Sequence, residues 1–484
     1  MPTASKRGAA WPILAGVIIA IITWAKCTLI RSGPDLEPDA YGHALAARRM
    51  WLDPFDMGVH WVWLPLGHVM HTLSFALGYG MNGIRYANAI FTSCLCALLA
   101  ACLTGISRGQ GLTRRALPFL AAGILALSPI ALVIGEAGAL EPLFACLVLA
   151  TLLAWRRGGA FGALLAGGFA AAAALLRYEG WVLPIVLFAS WWHRGRTISR
   201  AVAWGLPGLA IGGYLYARAS LAFVHENLVF ARGFFESAEQ RWPVRPHPLW
   251  MSLWYALVVP AIDLGPLVLF AMAGARWTLR RPPIVWRAAL LAILAFLTVG
   301  FVARQHLGLL RHALSFAPLY ATAAAAGILR VAVYLRRRHF VRRVSLEHVA
   351  FGLAGAALFL LAATRTLPTF VGQLDKHATG YQGAYRTAMA LRERFTASTV
   401  VHCDETAVET LSELPPAAFV RWQMPDTQFY NLSVELQSGK RPLVVTTAER
   451  ARHLRDRCRT LYEDGNLVIL EYEGVALDTT ARGR

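Results

Sequence analysis

Residues 33–68 read GPDLEPDAYGHALAARRMWLDPFDMGVHWVWLPLGH and carry five carboxylates, Asp35, Glu37, Asp39, Asp53 and Asp56, directly after a long apolar run. That run, within MPTASKRGAAWPILAGVIIAIITWAKCTLI, starts basic as a signal peptide does. It is too long for a signal h-region and no small-x-small cleavage site follows it, so it reads as a retained anchor with its N-terminus inside. The acids of 33–68 then fall just outside the first span.

The rest of the chain supports a membrane reading. Of 484 residues 56% are hydrophobic and only 15% are charged, and the mean hydropathy is +0.47, which points to a polytopic membrane protein. The net charge of +19 is not gathered on one polar surface, as nucleic-acid binding would require. Short Arg groups alternate instead with apolar runs of roughly 17 to 25 residues, the length that crosses a bilayer. Five of the seven cysteines (Cys27, Cys94, Cys96, Cys102, Cys146) lie in apolar sequence with no metal-knuckle spacing, so they act as small hydrophobes. Spacing leaves open whether the other two, Cys403 and Cys458, pair.

Spans are expected near 11–30, 83–106, 116–134, 139–154, 160–176, 180–192, 201–218, 251–275, 288–303, 312–329 and 347–365, about eleven in all. With the N-terminus inside, the connections SRGQGLTRR, WRRGG, HRGRTISR, RWTLRRPPIVWR and RVAVYLRRRHFVRR are cytoplasmic; all are Arg-rich and none contains an acid. Before residue 366, only Glu347 among the carboxylates lands near a cytoplasmic end. The positive-inside rule is a Lys/Arg rule, so this segregation of acids is a separate fact. It points to an outer face that uses them.

Past the last span the sequence turns polar. TVVHCD, AAFVRW, PLVVTT and NLVILEY read as short strands, with helical stretches DTQFYNLSVELQSG and AERARHLRDRCRTLYED between them. The fold expected is thus a polytopic all-α membrane domain, residues 1–369 with a first outer loop at 31–82, followed by a small α/β extracytoplasmic domain at 370–484.

Four outer stretches carry candidate chemistry. The first loop offers Glu37 and Asp39, then Arg48, Arg49 and the interface-suited Trp51, Trp61 and Trp63 on an amphipathic helix. The second, GEAGALEPLF, holds Glu136 and Glu141, and Pro142 suits a first helical turn with Glu141 at its positive end. In LLRYEGWVLP, Arg177 and Glu179 interrupt two apolar runs, where ionisable residues usually face the protein interior. In RQHLGLLRHALSFAPLYA, Arg304, His306, Arg311 and His312 stand against the charge bias of the topology and suit a phosphate oxyanion. Asp263, in VVPAIDLGP, reads as a helix cap.

Taken together these motifs resemble the GT-C superfamily, membrane glycosyltransferases that use polyprenyl-phosphate sugars and include protein O-mannosyltransferases and aminoarabinose transferases. The resemblance rests on the acidic pair after the first span followed by a helix, LDP and WLPLGH, on the acid-Pro step LEPLF, on RYEGW, and on LLRHALSFAPLY, where His312 stands in place of a common Tyr. It covers most of the membrane region.

The resemblance implies an inverting glycosyltransferase that moves a hexosyl or pentosyl group from a polyprenyl-phosphate donor to an acceptor hydroxyl at the outer face. Asp39 would be the general base, with Glu37 as the alternate. Arg311, Arg304 and His312 would hold the donor phosphate, Arg177 and Glu179 would shape the pocket, and Glu141 and Glu136 would orient the acceptor or share a cation. Carboxylate oxygens suit Mg or Mn, although two acids do not require a metal. The partners implied are a lipid-linked donor, membrane lipid and a glycan, lipid or protein acceptor, without nucleic acid. A transporter or flippase of lipid-linked sugars would scatter ionisable residues through several spans and often show two related halves. A ligase or polymerase would have less use for the first-loop acids. An Ala-, Arg- and Trp-rich, Lys-poor composition suits a bacterial inner membrane, with the C-terminal domain periplasmic or extracellular.

Overall fold

The computed structural model describes residues 10–54, 63–104, 112–194, 197–221, 248–302, 309–337, 345–403, 405–421, 432, 434–454 and 456–473. Two compact units divide the chain: Met1–Arg31 with Phe55–Leu374, and Ser32–Pro54 with Asp375–Arg484.

Helices occupy the eleven positions expected of spans, but they are not of one kind. Among the described residues, seven helices are long and apolar enough to cross a membrane: Ala10–Ser32, Gly80–Thr104, Gly159–Leu176, Trp250–Arg280, Ile284–Val302, Ala317–Arg337 and the one beginning at Leu346. An eighth span would join Arg115–Ala126 to Pro129–Glu136 across a 59° bend. The three remaining positions hold Glu141–Arg157, Val182–Arg194 and Ile198–Leu221. The first two have 17 and 13 residues, hence about 26 and 20 Å of helix, short of the ~30 Å hydrocarbon thickness. The third carries Arg200 near its start and Arg218 near its end, with 17 uncharged residues between them.

The first helix shows how such sequences choose their faces. Trp11, Ala15, Ile22, Ala25, Lys26 and Leu29 are buried, while Ile13, Val17, Ile21 and Trp24 are exposed on the other side. A helix that is apolar all round thus gives one stripe to the bundle and one to lipid. A close crossing joins Val268–Arg280 to Ala317–Arg337. A Cβ on Gly274 would meet the Ala323 carbonyl and one on Gly327 the Phe270 carbonyl, so the backbones touch where side chains are absent. Arg115 and Glu347, both expected at cytoplasmic ends, pair at 3.4 Å and place two helix starts at one end of the bundle.

Asp263 does cap a helix, though not one of its own segment. Its carboxylate accepts from Ser128 Oγ at 2.8 and 2.7 Å, from the Ile130 N–H at 3.0 Å and from Tyr320 Oη at 2.7 Å, securing the start of Pro129–Glu136.

In the second unit a five-stranded sheet has the order β2-β1-β3-β5-β4, with β1 (Thr399–Cys403), β2 (Phe419–Arg421), β3 (Arg441–Thr447), β4 (Cys458–Asp464) and β5 (Leu467–Tyr472). β1 is parallel to both β2 and β3, and the β3-β5-β4 side is antiparallel. The four expected strands are present. The stretch expected as a second helix, 448–464, divides: Ala448–Ala451 is helical and Cys458–Asp464 is the edge strand. Of the first expected helix, 434–437 is helical and most of the rest lies outside the described residues. Cys403 and Cys458 are free thiols. Two strands stand between β1 and β4, about 14 Å at ordinary strand spacing, too far for a disulfide.

The first-loop segment folds onto this sheet unit. A Cβ on Gly33 would lie 2.6 Å from the His377 carbonyl oxygen, so only glycine lets the chain pass there. His377 Nδ1 bonds the Pro34 carbonyl at 2.9 Å. From the helix Pro38–Leu52, buried Arg48 donates to the carbonyls of Glu409, at 3.1 Å, and Leu414. The rings of Tyr41 and Tyr381 lie 5.2 Å apart.

Candidate active site

The strongest constellation stands where helices begin, end or break. Leu140 caps the helix Glu141–Arg157, so Glu141 opens it, as the Glu-Pro step foretells. Arg177 closes the helix Gly159–Leu176 in extended backbone, and Tyr178–Trp181 then forms a 3₁₀ turn that carries Glu179. A second 3₁₀ turn, Leu310–Ser315, carries Arg311 and His312.

These segments meet at one carboxylate oxygen. Glu141 Oε1 accepts from Arg177 Nη1 at 2.7 Å and lies 3.2 Å from Arg311 Nε and 3.5 Å from His312 Nε2. Arg177 also holds Glu179, through Nη2 at 2.8 Å and Nε at 3.2 and 3.3 Å. Glu141 is 1% exposed and Glu179 3%. Burial alone would lower the pKa of Arg177, but Glu141 and Glu179 outweigh it, and the guanidinium is held above its ordinary value. Tyr255, in the π turn Trp254–Val258, lies within electrostatic reach of all four charged residues and donates its hydroxyl to the Leu309 carbonyl at 3.2 Å, just ahead of Arg311.

Glu136 belongs to a different contact. Its carboxylate takes Arg85 Nη2 at 2.8 Å, both side chains being 1% exposed, and Arg85 Nε donates to the Glu136 carbonyl at 3.0 Å. Asn88 Nδ2 donates to the carbonyls of Ala137 and Ala139 at 2.7 and 2.6 Å. Lys26 Nζ reaches Thr92 Oγ1 at 2.5 Å one turn further along. Together these side chains fix the short link that delivers Glu141. Arg85 and Lys26 were not among the expected site residues. The signal that could have found them is the one that found Arg177, an ionisable residue inside an apolar run.

Asp39 and Glu37 lie in the other unit. Glu37 is the N-cap of Pro38–Leu52, and its Oε1 stands 3.5 Å from the Asp39 N–H; Pro38 and Asp39 form the first turn. Asp35 Oδ1 accepts from the Glu37 N–H at 3.0 Å, and Tyr41 Oη donates to the Asp35 carbonyl at 2.8 Å. Tyr381, whose φ of +52° is the left-handed region a non-glycine residue seldom adopts, lies within electrostatic reach of Asp35, Glu37, Asp39 and Glu405. The carboxylates of Asp39 and Glu37 are half-buried. Arg304, His306 and Trp61 lie outside the described residues.

The donor set at Glu141 does not fit a divalent cation. Two guanidinium groups and an imidazole surround its Oε1, where Mg or Mn would need further oxygens. Among the described residues no group of three or more His, Cys, Asp or Glu side chains could hold a metal ion.

No protein-family model and no curated protein sequence matches the chain. Solved structures do. The ArnT of Cupriavidus metallidurans, bound to undecaprenyl phosphate, aligns over 95% of this chain and 98% of its own with TM-score 0.63 at 13% identity. Its apo state gives 0.60 over 96% and 98%, again at 13%. The Archaeoglobus fulgidus oligosaccharyltransferase, tethered with an acceptor peptide, gives 0.51 at 13% identity over 90% of this chain and 69% of that one. The likeness extends through membrane helices and C-terminal sheet alike, and the architecture is the GT-C fold.

Proposed function

We propose that the protein is an inverting glycosyltransferase that moves a hexosyl or pentosyl group from a polyprenyl-phosphate donor to an acceptor hydroxyl at the outer face of a bacterial inner membrane. In this reading the N-terminus is cytoplasmic and residues 370–484 form an extracytoplasmic domain. The observation that carries it is the buried group of Arg177, Arg311 and His312 around Glu141. A chain of like fold has been solved with undecaprenyl phosphate bound, and that lipid fits such a group.

The chemistry needs two things. Breaking a glycosyl-phosphate bond leaves charge on phosphate, and preorganised guanidinium groups stabilise it in a water-poor site better than water would. Arg311 and Arg177 take that task, with His312 beside them and Arg304 of the same stretch as a further phosphate ligand. Glu141 and Glu179 hold the guanidiniums in register and shape the pocket. Attack on the anomeric carbon also requires that the acceptor hydroxyl lose its proton. Asp39 is the base, with Glu37 as the alternate; such a base is worth on the order of 10²–10⁴-fold. A single displacement without a covalent sugar-enzyme intermediate inverts the anomeric carbon. No step requires a metal, and Glu136 serves with Arg85 to place Glu141. The acceptor is a glycan, lipid or protein hydroxyl.

The test is to incubate the purified protein in nanodiscs with a panel of polyprenyl-phosphate sugars and acceptors. Consumption of one donor, with a product of inverted anomer, is expected; Asp39→Asn should remove transfer while donor binding persists. Movement of donor across sealed vesicles with no product would support a flippase instead.

A further inference from the structure

The turn that carries Arg311 and His312 is a weak element by itself. Leu310–Ser315 is a 3₁₀ turn of six residues. Such turns ordinarily run for roughly three or four, because their hydrogen bonds are poorly aligned. Its first bond runs from the His312 N–H to the Leu309 carbonyl at 3.3 Å, and its last from the Phe316 N–H to the Ala313 carbonyl at 3.1 Å. Leu309 and Phe316 are its two flanking residues.

Tyr255 touches both of them. Its hydroxyl donates to the Leu309 carbonyl at 3.2 Å, on the same oxygen that receives the His312 N–H. A carbonyl oxygen has two lone pairs, so the two donors share it without competing. The Tyr255 ring stands edge-on to the Phe316 ring, with centroids 6.0 Å apart and planes at 89°, and edge-on to Phe301 at 6.1 Å and 70°. Aromatic pairs of this geometry are attractive and directional. Tyr255 is fully buried and Phe316 is 1% exposed.

The direction of Tyr255 follows from the stretch WYALVVPAIDLGP, residues 254–266. Pro260 has no N–H to give the Ala256 carbonyl, and its ring crowds that carbonyl, so a regular helix cannot run through Trp254–Val258 into Val259–Leu264. The chain widens instead into a π turn, where the Val259 N–H bonds the Trp254 carbonyl five residues back. Within it Tyr255 faces inward while Ala256 and Leu257 are exposed. A buried tyrosine that donates to a carbonyl is ordinary. One delivered by a helix defect to both ends of the turn that bears Arg311 and His312 is not, and π turns recur at functional sites.

We propose that Tyr255 is a positioning residue for the donor phosphate, bracing Leu310–Ser315 at both ends and so setting where Arg311 and His312 meet the lipid-linked donor. This rests on the reading of the Glu141 group as the donor phosphate site. Tyr255 acts through the backbone. When the Leu309 carbonyl is slack, the His312 N–H loses its fixed acceptor and the turn its first bond. The Arg311 guanidinium then drifts from the 3.2 Å that it keeps to Glu141 Oε1. No charge changes, so what the hydroxyl contributes is placement.

The experiment pairs two measurements on the full-length protein in nanodiscs: calorimetric titration with undecaprenyl methyl phosphate, a lipid phosphodiester, and amide hydrogen exchange without ligand. Tyr255→Phe keeps both ring contacts and removes the hydroxyl alone. The affinity should fall roughly three- to tenfold, the effect of one neutral hydrogen bond. Exchange should quicken only in peptides spanning 309–316. Tyr255→Leu, which also takes the ring edge from Phe316, should lower the affinity further and quicken the same peptides more. Parent affinity in Tyr255→Phe, or weaker binding without faster exchange in 309–316, overturns the positioning role. Faster exchange spread through the bundle overturns it too, as general destabilisation. A parent protein that does not bind the diester overturns the phosphate site itself, and exchange confined to 309–316 in Tyr255→Phe would then leave the brace as a structural contact alone.

Discussion

Replacing Arg85 by Met would remove a guanidinium that is fully buried and donates, among other contacts, to Glu136 Oε2 at 2.8 Å, the Glu136 carbonyl at 3.0 Å, and the Ile30 carbonyl and Asn82 Oδ1 at 3.3 Å. The methionine side chain is shorter but unbranched and of comparable bulk, so the effect is mainly that of lost charge and hydrogen bonding. What remains is the Glu136 carboxylate, 1% exposed, without the Arg85 guanidinium. Removing one member of a buried ion pair costs about 3–5 kcal/mol, most of it the penalty of the orphaned charge. Replacing both members by apolar residues is far milder, so Arg85→Met with Glu136→Leu should recover at least ~2 kcal/mol of the loss. Reversible unfolding in mixed micelles, followed by tryptophan fluorescence, measures both. A single variant within ~1 kcal/mol of the parent, or a double variant no more stable than the single, would refute the argument that this pair sets the link before Glu141.

Two further outcomes follow from other parts of the molecule. Arg177→Lys keeps the charge but cannot bridge Glu141 and Glu179 at once, as the guanidinium does through Nη1, Nη2 and Nε; affinity for undecaprenyl methyl phosphate, a lipid phosphodiester, measured by calorimetric titration in nanodiscs should fall about tenfold, ~1.4 kcal/mol, and an unchanged titration would count against the phosphate role. His71, fully buried in Pro65–Ala76, is pushed down by burial to about 4, against a hydrogen bond with the Gly138 backbone. The unfolded chain takes up that proton near pH 6.5 and the folded chain resists it until about 4, so stability is intact above 6.5 and falls with acidification by about 3 kcal/mol at the lower limit. Unfolding midpoints measured from pH 8 to 4 should show the decline, and His71→Gln should flatten it.

Much of the membrane architecture was legible because each span repeats one physical requirement, an unbroken apolar run. The acids and arginines expected on the outer side were legible for the opposite reason, since each interrupts such a run. What sequence spacing cannot show is which interruption meets which. Arg177 and Glu179 are two residues apart and announce themselves, but Glu141 lies 36 residues before Arg177, and Arg85 51 before Glu136. The edge strand Cys458–Asp464 falls within a stretch whose sequence reads as helix. It pairs only with β5, through a bulge between Thr460 and Tyr462, so its pattern is half-exposed and lacks a strand's clean alternation.

The placement of the charged group follows from what helices cannot do. A regular helix inside an apolar bundle satisfies its own backbone and has no call for charge, whereas a helix end leaves carbonyls or N–H groups exposed. Glu141 opens a helix, Arg177 closes one, and Glu179, Arg311 and His312 lie in 3₁₀ turns. Inside a bilayer, backbone of this kind is tolerated only where protein or a polar ligand surrounds it. Three side chains drawn to one oxygen from positions 36 to 171 residues beyond Glu141 are hard to explain as separate caps, because Pro129–Glu136 is capped by Ser128 and Asp263 with no help from this group. A purely structural cluster would also tolerate replacement of Glu141 and both arginines by apolar residues of equal volume, at no loss in stability. In the proposed function the arrangement is a preorganised anion site, whose carboxylate holds the guanidiniums where phosphate will need them.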